Sequence, residues 1–254
     1  MNRKGSTLVS RRKLLIGGAS AGGLIGAGIA APLAGPAVSG LYRAGEALSL
    51  ASHRLLLARN PLAREFSVTD ISKSFPTIGT AMPEDDQYQR LLADGFTGWR
   101  LPVDGLVARP LAFSLADLRQ MPSRTQITAH SCERGWTAIA QWTGVQLARV
   151  LSLAQPLPAA RYVVIYCVDG WYDSYSLDAF EALHPQTILA YGMNGRDLPV
   201  RHGAPVRLRI ERQLGWKSLK FIHRIQLVDR LDGIGKGKRS FVADEFDFQW
   251  YGGI

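Results

Sequence analysis

The chain has 254 residues, 46% hydrophobic and 20% charged, enough to bury a substantial core in one large domain or two small ones. Its formal charge is +9, but Arg3, Lys4, Arg11, Arg12 and Lys13 supply five of those charges with no acid among them, so the rest carries only +4. That excess does not argue for nucleic acid and is met by an anionic cofactor or substrate, while two cysteines with no C-x-x-C pair speak against thioredoxin chemistry and cysteine-rich zinc sites.

Residues 1–39 read as an address rather than as fold. Ser10-Arg11-Arg12-Lys13-Leu14-Leu15 is a twin-arginine signature, and a Gly/Ala-rich apolar run follows to about Ala34. Export to the periplasm is expected, with cleavage near Gly40 after Ala37-Val38-Ser39; retention of the run as a membrane anchor is the alternative. Gly26-Ala27-Gly28-Ile29-Ala30-Ala31 fits a dinucleotide fingerprint, with Glu46 about 20 residues on. No strand precedes it, so the βαβ context that the fingerprint needs is missing.

Residues 40–98 read as an N-terminal extension packing on the core, with a helix over 41–59, a loop broken by Pro76, Gly79 and Pro83, and a short helix over 85–94. From Trp99 the signals sharpen. Arg100 to Val107 reads as strand and turn, and Ser114 as the N-cap of a short helix with Asp117 three residues on. Arg124 to Ala129 alternates toward a strand that delivers Cys132 to a loop. Val145 to Leu153 reads as helix, Arg161 to Val168 as a buried strand, and Asp178 to Leu183 as a short helix. Thr187 to Tyr191, Asn194-Gly195 and a returning segment make a hairpin, because Asn-Gly favours positive φ. Pro205 to Ile210 and Phe221 to Asp229 are late strands, and the acidic, aromatic Phe241 to Ile254 reads as a tail lying on the core rather than a partner-docking strip. The fold class expected is α+β, mixed and strand-rich, with residues 99–254 as one domain and no repeat.

Cys132 lies between cationic neighbours in His130-Ser131-Cys132-Glu133-Arg134-Gly135-Trp136. A thiol beside Arg or protonated His has a lowered pKa and serves as nucleophile or soft-metal ligand. A disulfide to Cys167 is the plainer alternative. Two later blocks, Asn194 to Arg207 and Gly215-Trp216-Lys217-Ser218-Leu219-Lys220, concentrate Gly, Arg, Lys, His and Ser. Backbone N–H groups, forked donors and point charges of this kind suit a phosphate, although neither block is a P-loop. Taken singly, each reads as a cationic surface turn.

In combination these blocks resemble the molybdopterin-dependent oxidoreductases of the sulfite oxidase family, nearest to the exported bacterial branch that includes the protein methionine sulfoxide reductase catalytic subunit. The matching pieces are Cys132-Glu133-x-x-Trp136, Trp142-Thr143-Gly144, Tyr162-Val163, His184-Pro185-Gln186-Thr187, Leu198-Pro199, Gly203 to Leu208, and Gly215, Lys217-Ser218 and Lys220. The resemblance implies a sulfite-oxidase-type domain binding molybdenum as Mo-molybdopterin, with Cys132 as the protein thiolate on the metal. It implies pterin contacts from His202 and Arg207, and a pterin- and phosphate-holding segment at Ser218, Leu219 and Lys220. His130 and Cys167 fall beside the cofactor, Cys167 where the reductase has a Thr. Arg134, Arg201 and Lys217 would hold an anionic substrate or neutralise the cofactor. The family's upstream cofactor contacts find no match near Phe75 to Thr80. The immunoglobulin-like dimer domain of the animal and plant enzymes and a C-x-x-C-H haem pattern are both missing. Electrons are therefore expected from a separate partner, for which a membrane haem protein is a candidate. Reduction of a sulfoxide-type substrate is the activity expected. Oxidation of sulfite or a similar small anion, and an exported binding domain with a structural Cys132, are the alternatives.

Overall fold

The computed structural model describes residues 35–254 except 60, 170–173, 233, 236, 238–239 and 247; the twin-arginine stretch lies outside these residues. The chain divides into two units between Arg54 and Leu55. The first holds most of helix α1 (Gly35–Leu56), in the place expected for the first helix.

The second unit carries the site. After residues 61–80, which are irregular apart from one 3-10 turn at Val68–Asp70, comes helix α2 (Asp86–Ala93). Asp85 caps it by accepting from the Tyr88 N–H at 2.7 Å. Strands β1 (Arg100–Gly105) and β2 (Leu111–Ser114) lead into α3 (Leu115–Gln120). Ser114 and Asp117 close the reciprocal capping box there, Ser114 Oγ accepting from Asp117 N at 3.0 Å and Asp117 accepting from Ser114 N at 2.8 Å. Then follow β3 (Ser123–Ser131), β4 (Thr137–Gln146), α4 (Leu147–Ala154), β5 (Tyr162–Cys167), β6 (Ser174–Asp178) and α5 (Ala179–Ala182). The chain closes with β7 (Ile188–Met193), β8 (Arg196–Asp197), β9 (Arg207–Arg209), β10 (Ile222–Val228) and α6 (Phe241–Glu245).

Two five-stranded sheets result. One runs β2-β1-β10-β5-β6, its β1–β10 pair parallel and the rest antiparallel. The other runs β3-β4-β7-β8, with β9 also paired to β7. A shared core joins them: Leu101, Val103, Val163, Ile165 and Ile225 of the first pack in one cluster with Val145, Leu189 and Leu208 of the second.

Val145 lies in β4, which ends at Gln146, and is not the start of a helix as the sequence suggests; α4 begins at Leu147. The reason is a bulge between Thr143 and Gly144 that keeps the strand paired to β7 through Gln146. A Cβ on Gly144 would lie 2.2 Å from Leu189 O, so only glycine lets the backbones meet there. The Asn194-Gly195 turn has φ 51° and 72°, as a two-residue hairpin loop requires.

Candidate functional site

Strand β3 brings the chemistry to the core. Its alternation buries Gln126, Thr128 and His130 on one face, and Cys132 follows in the five-residue loop to β4. That loop is tight: Cys132 N donates to Trp136 O at 2.9 Å and Gly135 N to Cys132 O at 3.0 Å. Gly135 turns it with φ +84°. Cys132 is buried at the head of a half-open cleft enclosing about 670 Å³, its mouth included. The cleft is lined by the three blocks that the sequence singles out. His130 and Cys132 come from the first, Arg201, His202 and Arg207 from the second, and Gly215, Trp216, Ser218, Leu219 and Lys220 from the third. Cys167 enters from the end of β5. No disulfide joins the two cysteines.

Two expected residues are elsewhere. Arg134 is exposed and outside the lining. Lys217 shares the 3-10 turn Gly215–Lys217 with the cleft residues but points the other way, its Nζ donating to Ser176 O at 3.1 Å. A three-residue turn presents successive side chains to different sides, which residue spacing alone does not reveal.

The thiol also differs from expectation. Burial first, then the Glu133 carboxylate, pushes the Cys132 pKa up rather than down, with the Arg134 backbone N–H opposing. Cys132 Sγ donates to Glu133 Oε2 at 3.3 Å. The flanking basic residues do not outweigh this, because His130 is neutral and the charge of the solvent-facing Arg134 side chain is the weakest of the influences on the thiol.

Behind the cleft sits a stack of buried cations. Arg209 grips Glu211 through Nε at 3.1 Å and Nη2 at 2.6 Å, and its Nη1 lies 2.5 Å from His130 Nδ1. An arginine nitrogen is only a donor, so His130 Nδ1 accepts and the proton rests on Nε2. Burial, then Arg209, drives the His130 pKa far down, and burial, then Arg207, takes His202 to about 4. Gly215 packs on the His130 ring so closely that a Cβ would stand 2.3 Å from Nε2.

Arg207 is fully enclosed. It donates to His202 O at 3.0 Å and Ser218 O at 2.7 Å, while its Nε has no partner. Burial, then Arg209, pulls its pKa well below the ordinary value. An arginine hydrogen-bonded to neutral carbonyls, with one N–H left over, that lines a cleft together with Lys220 and Arg201 is a donor set for an anion. Lys220, taken to about 8 by burial and then Arg207, donates to the carbonyls of Ile78, at 2.9 Å, and Thr80.

Those carbonyls belong to a wall that sequence reasoning left out. Phe75, Pro76, Ile78 and Gly79 line the cleft. The Phe75 ring meets His130, Trp136, Trp142 and His202 at 5.3–5.9 Å between centroids. Tyr175 and Asp169 line it too and were not singled out. The aromatic Phe75 among Pro and Gly breakers was the one available signal.

A family model for the oxidoreductase molybdopterin binding domain matches residues 90–232. The chain belongs to this family. It is therefore a molybdopterin-dependent oxidoreductase with the sulfite-oxidase-type fold, and its cofactor is Mo-molybdopterin. A relative from Azospira oryzae, provisionally named protein-methionine-sulfoxide reductase subunit YedZ1, is 34% identical over 194 residues, 76% of this chain and 69% of its own. The protein-methionine-sulfoxide reductase catalytic subunit MsrP of Ralstonia nicotianae is 35% identical over 146 residues, 52% of this chain; the match spans 44% of the relative. The sulfane dehydrogenase SoxCD of Paracoccus pantotrophus shares the fold, with TM-score 0.50 at 24% identity, covering 52% of this chain and 38% of that one.

Proposed function

We propose that the protein reduces a sulfoxide-type substrate at a molybdenum centre ligated by Cys132. The cofactor supplies a metal that cycles between oxidation levels two electrons apart. A sulfoxide takes up two electrons and two protons to give a thioether and water. The electrons come from a separate partner, a membrane haem protein being the class expected. Arg207, His202, Ser218 and Lys220 hold the anionic pterin and its phosphate, and Cys132 offers the soft sulfur that such a metal prefers. The Nε2–H of His130 and the unpartnered Nε–H of Arg207 are donors ready for that group.

The observation that favours a sulfoxide over sulfite is the surroundings of Cys132. Its Sγ contacts the Glu133 carboxylate, and Phe75 and Trp136 stand edge-to-face beside it in the lining. A dianion is repelled by a carboxylate, whereas a neutral thioether or sulfoxide packs well on aromatic rings. The names of the two reductase relatives support the same reading. Export by the twin-arginine route is part of the proposal and rests on Ser10 to Leu15 and the apolar run after it. The test sets sulfoxide reduction against sulfite oxidation on one preparation of known molybdenum content. Faster sulfite oxidation than sulfoxide reduction would refute the direction proposed.

A further inference from the structure

Residues 248–254 lie beyond the stretch that the family model matches, which ends at residue 232, yet they pack on the back of the cofactor cleft. Gly252 O accepts from Leu214 N at 2.6 Å, Ile254 N donates to Arg212 O at 3.1 Å, and Gly253 bridges Gln213 antiparallel. The segment is thereby stitched to the three residues that enter the Gly215–Lys217 turn. Phe248 meets Trp216 edge-to-face with centroids 6.0 Å apart, and a Cβ on Gly252 would come within 3.1 Å of the Trp216 indole. Trp250 lies 5.0 Å from Lys217 Nζ and donates to Ser176 Oγ at 2.8 Å, while Tyr251 bonds Glu181 at 3.1 Å. Trp216 also lines the cleft. The turn therefore has the cofactor in front and this segment behind.

We propose that residues 248–254 are a positioning element of the cofactor site. Their seating holds Trp216 and the Gly215–Lys217 turn in the shape that receives the cofactor, and the bound cofactor in turn seats them. The turn has little means of holding itself. It is three residues long, and its own closures are Lys217 N to Leu214 O at 3.0 Å and Ser218 N to Gly215 O at 2.9 Å. The Trp216 Nε1–H is buried with no partner, so no hydrogen bond fixes the indole. Its orientation is set by packing against Phe248, Gly252 and Tyr175, the last at 5.6 Å between centroids. A segment that favours the binding-competent shape must itself be favoured by binding, by the same factor. The inference rests on the family's cofactor and not on the sulfoxide reading, so failure of either leaves the other standing.

Hydrogen exchange on the wild-type protein tests the coupling. Molybdenum-loaded protein is compared with protein purified from cells that cannot make the cofactor. The Leu214 and Ile254 amides, which bond the segment to the turn, should exchange roughly tenfold more slowly in the loaded form, within the usual range for coupled sites. Amides in the β1–β10 pair should change little. Equal rates at Leu214 and Ile254 in the two forms overturn the proposal. Gly252→Ala gives the reciprocal reading, since its Cβ presses on the indole. The loaded variant should release molybdenum several-fold faster on dilution, with the melting temperature of its cofactor-free form near that of wild type. Retention equal to wild type also overturns it. If this variant does not fold, the wild-type exchange comparison decides alone.

Discussion

Lys217→Met should make the cofactor-free protein more stable, and most so at low pH. Lys217 is about 1% exposed, with one hydrogen bond, to Ser176 O, and two indoles near 5 Å from its Nζ. Burial holds its pKa at about 7 against an ordinary 10.5, with Asp178 and Glu181 pulling the other way. At about 1.4 kcal/mol for each pH interval, that gap corresponds to an upper bound of roughly 5 kcal/mol charged against the native state. Methionine has similar reach and no charge. It forfeits the hydrogen bond and the two cation–π contacts, about 1 kcal/mol each, leaving a gain of roughly 2 kcal/mol. The sign with pH follows from proton uptake. Between pH 7 and 10.5 the unfolded chain binds more protons at this site than the folded one, so wild-type stability climbs with pH across that window. The advantage of Lys217→Met is therefore full below pH 7 and vanishes near 10.5. Thermal melts at pH 6 should place the variant about 4–8 °C above wild type, with the two converging by pH 10. A melting temperature at or below wild type at pH 6, or a pH-independent difference, would show that the ammonium is well solvated or well paired.

The other predictions concern the cleft. Cys132→Ser exchanges a soft thiolate for a hard, weakly acidic hydroxyl; turnover should fall to background with circular dichroism unchanged, and wild-type turnover would remove Cys132 from the metal. Gly215→Ala drives a methyl into His130, which Arg209 prevents from yielding. Overpacking should cost about 1–3 kcal/mol in melts and lower molybdenum per mole of protein; full occupancy would mean that the turn is slack. Lys220→Ala removes the donor that ties Ile78 and Thr80 to the third block, so bound molybdenum and pterin should drop more than the stability of the cofactor-free form. Replacing both Arg11 and Arg12 with Lys should trap the protein in the cytoplasm on fractionation; undiminished periplasmic protein would indicate another route.

What was legible in the sequence was local or charged. The Ser114–Asp117 capping box and the Asn194-Gly195 turn are decided by residues three or fewer apart, and both form as read. Cys132, His202, Arg207 and Lys220 stood out because their chemistry is costly to bury without purpose, and the cleft gathers them. The Phe75 to Gly79 wall left little signal beyond Phe75 among its breakers, for the opposite reason. It is held by backbone carbonyls to Lys220 and by rings packing on rings from four other segments, and neither leaves a pattern along the chain. Strand β6 escaped notice as well. Ser174-Tyr175-Ser176-Leu177 alternates polar with apolar but is buried throughout, so the alternation does not mark an exposed face. Lys217 and Lys220 look alike on paper, and only the turn of the backbone sends one away from the cleft and the other into it.

The parallel pairing of β1 with β10 joins residues about 120 positions apart, and the Lys220–Ile78 contact spans 142. The cleft thus has no subset of consecutive residues that could form it early. A ribosome must finish nearly the whole domain before its walls can meet, and assembly proceeds through long-range closures, which are slow. Capture of the cofactor is consequently an event of the completed chain. Between synthesis and loading there is an interval in which the cleft lined by Cys132, Cys167 and Lys220 can admit whatever oxidant or anion reaches it first.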